Sequence, residues 1–234
     1  MNYVKKIIGV LLGTMFLGMG VAFYKISQFG QDGVSAMVMS FVYLFKLGET
    51  NYGYTVCYLA INFIFLVIMI LTLKDKINVG SIINLLLTGV CSNLFIYLFE
   101  VLSFNNNAIA LRILYSVLGI ITVSFGIALY GSANLGVAPY DAMPMVINKY
   151  CPKIAYKYAR IICDLSCLVV ALIIGVIILR RSDIINVNTV ITFITIGPLI
   201  SFFSKIINKY IYKNERDIMA TIKDVAKKAG VSPS

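Results

Sequence analysis

The sequence predicts an all-α fold: a polytopic helical membrane bundle of about six transmembrane helices in two inverted three-span repeats, each with a short re-entrant or interfacial helix. Three observations predict it. The 234 residues are 60% hydrophobic and only 13% charged, with a mean hydropathy of +0.91, whereas a soluble domain is roughly 45–50% apolar and about 25% charged. Six apolar runs reach the ~20 residues that cross a bilayer core. The two halves of the chain also resemble each other.

Composition excludes several function classes. A soluble protein this apolar could not cover its own surface, and disorder needs low hydrophobicity. There is no histidine, which removes the usual general base and the commonest metal ligand. No phosphate loop, catalytic triad or metal cluster is present, so the expectation is a protein that is not an enzyme and has no cofactor and no metal. The five cysteines form no CxxC pair. Cys163 and Cys167 share a helical face, but without a third ligand they read as small buried thiols. The net charge of +10 sits mainly between apolar runs, where it reads as topogenic charge and contact with anionic lipid heads.

The spans fall in order at roughly 7–24, 54–73, 79–103, 108–130, 159–179 and 187–211. The first imitates a signal peptide, but no small-x-small cleavage site follows it. Apolar stretches 34–45 and 138–148 are about a dozen residues long and suit re-entrant or interfacial helices; whether they cross the membrane stays open. With the first end inside, cytoplasmic segments up to residue 160 hold Lys5, Lys6, Lys74, Lys76, Lys149, Lys153, Lys157 and Arg160, and the outer segments hold Lys25, Lys46, Arg180 and Arg181. That bias places both termini in the cytoplasm. There is no tryptophan, so Tyr3, Tyr24, Tyr52, Tyr54, Tyr130, Tyr150, Tyr210 and Tyr212 are the expected interfacial anchors.

The repeat aligns residues 12–37 with 118–143 at a shift of 106, pairing Gly13/Gly119, Gly20/Gly126, Tyr24/Tyr130, Gly30/Gly136 and Met37/Met143. Residues 71–89 align with 179–197 at a shift of 108, pairing Asp75/Asp183, Asn78/Asn186 and Gly89/Gly197. Each copy holds three spans, an odd number, so the copies are inverted in the bilayer. Inverted repeats with interrupted segments in matching places characterise transporters, whose sites lie where the repeats meet. The expected division is 1–106 for the first repeat, 107–213 for the second and 214–234 for a cytoplasmic tail.

Candidate functional residues follow from the interruptions and from the intramembrane charge. In the junction 126–141, Gly131 and Gly136 permit backbone that a helix does not. Pro139 suits a first helical turn, and Asp141 falls in that turn. Tyr130 and Asn134 belong to the same stretch, and Gly30 and Gly33 mark its first-copy equivalent. Asp164 lies several residues inside the fifth span, where an unpaired carboxylate costs roughly 2.5–3.5 kcal/mol. Arg160 is one turn earlier and placed to pair with it, and Asn62 occupies the matching place in the second span. Glu100 and Arg112 read as a surface pair between the halves. Pro198 removes a hydrogen bond from the last span and predicts a kink. Gly9 and Gly13 form a GxxxG packing pattern.

Residues 133–142 (ANLGVAPYDA), 160–164 (RIICD) and 189–200, with Gly197-Pro198, resemble the YczE/YitT-like family of bacterial integral membrane proteins. The resemblance implies a multi-pass protein of the bacterial plasma membrane and supplies no activity. From residue 214 the composition changes. Thr221 with Asp224 forms a capping box, Ile222, Val225, Ala226 and Ala229 make one apolar stripe, and Gly230 followed by Ser232-Pro233 begins a second helix. These residues resemble the start of lac-repressor-family helix-turn-helix regulators. The chain stops before a recognition helix, so as written it binds no nucleic acid.

Three readings of function remain open. One is a transporter-like protein for a small molecule or ion, with pathway residues Asp164, Arg160, Asn62, Asp141, Asn134 and Tyr130. Its backbone elements would be Gly30, Gly33, Gly131, Gly136, Pro139 and Pro198. The others are a membrane-tethered, truncated transcription regulator and a non-transporting membrane scaffold. The expected partners are the lipid bilayer and a small molecule or ion; self-association stays open.

Overall fold

A computed structural model describes residues 3–48, 50, 52–104, 108–154, 156–181 and 184–211. Asp183, Tyr212, Lys213 and the segment 214–234 with its helix-turn-helix start lie outside the described residues. Among those described there are eight α-helices and no strand: α1 (Tyr3–Ser27), α2 (Gly33–Leu44), α3 (Gly53–Thr72), α4 (Val79–Val101), α5 (Ile109–Ser132), α6 (Pro139–Tyr150), α7 (Tyr156–Ala171) and α8 (Val187–Tyr210). Six are long and apolar enough to cross a membrane, α7 counting together with the wide π turn Leu172–Ile178 that extends it. The protein is a polytopic helical membrane bundle.

Local chemistry fixes the helix starts. Asp32 caps α2, its side chain accepting from the Ser35 N–H. Asn78 with Ser81 and Asn186 with Thr189 close capping boxes on α4 and α8, which satisfies amide groups that lipid could not. Pro139 stands in the first turn of α6, as the sequence predicts, behind an extended Ala138.

α1 and α5 form the centre, with α4 on α1 and α8 on α5. Lipid supplies no hydrophobic drive between helices, so association depends on close backbone approach at small residues. A Cβ on Gly13 would lie 2.8 Å from the Gly126 carbonyl oxygen, and one on Gly126 would lie 2.6 Å from the Gly13 oxygen. Further along the same antiparallel contact, Gly119 is covered by the Tyr24 ring.

The two short helices re-enter. α5 ends at Ser132, and residues 133–138 turn back inward. Tyr140 at the start of α6 meets Asp164 in the middle of the bundle, while Lys149 near its end reaches the Thr72 carbonyl at the end of α3. α2 does the same from the opposite end, packing on α3 and α7. Both short helices thus direct their N-termini at the centre.

Several sequence expectations are corrected. Tyr24, Tyr54 and Tyr130 are not interfacial anchors; all three are buried, because the helices pack over the rings at those positions. Tyr3, Tyr52, Tyr150 and Tyr210 are exposed, as anchors are. Glu100 and Arg112 do not pair. Glu100 accepts from Lys25 (3.1 Å), and Arg112 turns to the carbonyls that end α1, where the helix dipole is negative. Gly131 is not junction backbone: it lies inside α5, and the junction begins two residues later, at Ala133. Pro198 lies inside α8, which is one helix from Val187 to Tyr210. A further irregular span, unforeseen in the sequence, is α7, whose π turn has no proline to announce it.

Candidate functional site

At the centre lies a cavity of about 70 Å³. The N-terminal turns of α2 and α6 border it with Asp32, Gly33, Ser35, Tyr140 and Asp141. Tyr54, Tyr58 and Asn62 of α3, Asn84 of α4, Arg160 and Asp164 of α7 and Thr192 of α8 complete its polar wall. The sequence places Asp141, Arg160, Asp164, Asn62 and Gly33 together, and here they share one cavity.

The charged core is a branched ion pair. Arg160 Nη1 donates to Asp141 Oδ1 (2.5 Å) and Nε donates to Asp164 Oδ2 (3.2 Å). Tyr140 Oη donates to Asp164 Oδ1, and the guanidinium lies 5.0 Å from the Tyr140 ring centre. The i, i+4 spacing brings Asp164 to Arg160. The second acid is brought by tertiary structure, since only the re-entry of α6 places Asp141 there. A guanidinium has enough donors in its planar fork to serve both acids.

The other side of the cavity is less satisfied. Asn62 donates from Nδ2 to the Tyr58 carbonyl (3.1 Å). Tyr58 Oη makes a long 3.5 Å bond to Asn84 Oδ1, and Tyr54 Oη one of 3.4 Å to Ser35 Oγ. Asp32 Oδ1, Asn62 Oδ1 and Asn84 Nδ2 are buried with no hydrogen-bond partner. Native interiors leave few such atoms, and each calls for a cause.

A larger cleft of about 720 Å³ adjoins the cavity and shares Asp141, Arg160 and Asp164 with it. It is lined by Tyr130, Gly131, Asn134, Gly136 and Pro198 of the sequence-predicted set, and reaches Asp75, Lys76, Ser201 and Ser204 at one end of the bundle. Asn134 has left-handed backbone (φ 54°). Pro198 has no N–H to give the Ile194 carbonyl, and both residues border the cleft. The cleft runs between α7 and α8, which stand apart, although α3 and α4 are packed together.

At the opposite end the C-terminus of α1 is tied to α5 and α8, and a pocket of about 100 Å³ there shares only Tyr54 with the central cavity. Arg112 donates from Nε to the Ser27 carbonyl (2.9 Å) and from Nη2 to the Gln28 carbonyl (3.2 Å), its guanidinium 4.4 Å from the Phe29 ring centre. Asn188 donates from its backbone to the Phe29 carbonyl (2.9 Å) and from Nδ2 to the Gly30 carbonyl (3.0 Å), with Ser116 donating to Asn188 Oδ1 (2.6 Å). At the open end the corresponding backbone bond exists, from the Gly80 N–H to the Leu135 carbonyl (2.8 Å). The residue there is a glycine, so no side-chain clamp accompanies it. Gly30 and Gly136 both take positive φ (97° and 103°) and face Asn186 with Thr189 and Asn78 with Ser81, respectively.

Pro139 is fully buried and frames α6 without lining the cavity. Sequence reasoning missed Asp32, Tyr54, Tyr58, Asn84, Tyr140 and Thr192. Asp32 belongs to the first-copy junction 29–33, but nothing in its local sequence says that it borders a cavity or leaves one oxygen without a partner. Among the described residues no group of three or more acids or cysteines is placed to hold a metal.

A family model described as a family of unknown function (DUF6198) matches residues 4–205. The chain belongs to this family. No curated protein and no solved structure matches it. In this DUF6198 member the matched region contains every residue of the cavity, both short helices and all six spans except Tyr3 and the last five residues of α8.

Proposed function

We propose that the protein is a carrier, not an enzyme, and that it moves a small molecule or ion through a site at Asp141, Arg160, Asp164 and Asn62. We take its two halves to be inverted copies of one unit. The matched junction glycines, the paired capping boxes and the matched Gly13–Gly126 and Gly119–Gly20 approaches support that duplication. The stretches similar to the YczE/YitT-like family support a bacterial plasma membrane, and the basic bias supports cytoplasmic termini.

One observation carries the reading: a polar central cavity, faced by two half-helix N-termini, adjoins a wide cleft at one end of the bundle through Asp141, Arg160 and Asp164, while at the other end hydrogen bonds of Arg112 and Asn188 tie down the junction 27–30 and a much smaller pocket reaches only Tyr54. This is what one state of an alternating-access carrier requires. In the other state the Arg112 and Asn188 clamp releases and α7 closes on α8.

Site-directed labelling tests it. With the native cysteines replaced, Ser201→Cys, in the cleft, reacts with an impermeant maleimide. Ser27→Cys, beneath the clamp, stays protected, and adding Arg112→Ala exposes Ser27→Cys while slowing Ser201→Cys. The proposal is lost if Ser27→Cys stays protected in every background and if Asp164→Asn and Asp141→Asn leave every flux and every ligand-induced stabilisation unchanged.

A further inference from the structure

The central cavity holds three carboxylates, Asp32, Asp141 and Asp164, and one guanidinium, that of Arg160. Arg160 is committed to Asp141 and Asp164. Asp32 has one oxygen on the Ser35 N–H (3.3 Å) and the other buried without a partner. An uncompensated buried carboxylate is costly and is relieved by a neighbouring cation. The Asn62 side chain, in a residue 1% exposed, lines the same cavity with its acceptor oxygen unused, and Asn84, also 1% exposed, leaves its donor nitrogen unused.

An anion does not fit this wall. The two half-helix N-termini would attract one, but each is already answered by an acid of its own, Asp32 at α2 and Asp141 in the first turn of α6. The leftover groups call for positive charge with N–H donors, one for Asp32 Oδ1 and one for Asn62 Oδ1, and for an acceptor opposite Asn84 Nδ2. A water-sized site needs about 10–15 Å³, so 70 Å³ holds a molecule of about five heavy atoms. The Tyr54 and Tyr58 rings, stacked 6.1 Å apart, add faces that favour a cation.

We propose that this cavity binds a small protonated primary amine, of ethanolamine size, with Asp32 as its counter-ion and the Asn62 carbonyl as its second acceptor. The proposal rests on the carrier reading only in taking this cavity as the substrate site, and the two fail separately.

The test uses the full chain in lipid nanodiscs, with thermal stabilisation titrated against ethanolamine, methylammonium, tetramethylammonium and acetate. Ethanolamine and methylammonium stabilise saturably; tetramethylammonium, which has no N–H, and acetate do not. Asp32→Asn, which keeps a good helix cap, weakens ethanolamine binding at least tenfold, and Asn62→Leu weakens it several-fold. If Asp32→Asn does not fold, Asn62→Leu decides. Stabilisation by acetate in place of the amines, equal binding of tetramethylammonium, or unchanged ethanolamine affinity in the variants overturns the assignment. Absent amine binding with Ser27→Cys still switchable sinks the amine and spares the carrier. Saturable amine binding with Ser27→Cys always protected does the reverse.

Discussion

Arg160 serves two acids from different helices, and its side chain is only 23% exposed. Its value is therefore not that of a surface pair. Removing it leaves Asp141 and Asp164 facing each other across a poorly solvated space, and deleting one partner of a buried pair costs about 3–5 kcal/mol. Arg160→Gln is expected to lower stability to chemical denaturation in mild detergent by about 3 kcal/mol. Adding Asp141→Asn and Asp164→Asn should restore most of it; a triple variant no more stable than the single one would show that the arginine acts through its packing. At this scale the sequence was half informative. An acid and a base one turn apart inside an apolar run announce themselves, which is why Arg160 and Asp164 were found. Asp32 and Asn84 did not, because a capping aspartate and a mid-span asparagine look the same whether or not a cavity lies beside them. Tyr24 and Tyr54 misled for the related reason that a ring near a span end suits headgroups and helix interfaces equally.

Helix limits were the most legible level. The six spans and two short helices lie close to where apolar length and Pro139 put them. The junctions were less so, since two glycines five residues apart carry opposite meanings. Gly136 has positive φ, and a Cβ there would stand 2.6 Å from Ser81 Oγ. Gly131 is helical, exposed and has nothing within 4 Å of where a Cβ would go. Gly136→Ala should therefore lose about 1–2 kcal/mol from backbone conformation alone, more with the crowding. Gly131→Ala should be neutral or gain up to about 1 kcal/mol from helix propensity. Paired thermal melts check this, and an equal loss in both would mean that α5 ends earlier than Ser132.

For the molecule as a whole, sidedness is the clearest expectation. Lys5 Nζ donates to the Ile211 carbonyl (3.0 Å), so the first and last described helices start and finish at one end. Protease-sensitive epitopes inserted ahead of Tyr3 and after Ile211 should be cut from the same face of sealed vesicles; cleavage from opposite faces would refute an even number of crossings. Gly13, Gly119 and Gly126, which the sequence singles out, do lie where α1 and α5 approach each other, but the parting of α7 from α8 was not legible, because it is a relation between helices that no local signal marks. The wide turn Leu172–Ile178 bears on that difference. It lies between the acid-bearing part of α7 and the far end, where Arg181 sits 3.7 Å from the Tyr43 ring centre. A π turn holds about one residue more than an α turn, and one residue of α-helix is about 100° of rotation. Rewinding this segment would turn Asp164 about the axis of α7 relative to Arg181, as a clutch turns one shaft against another.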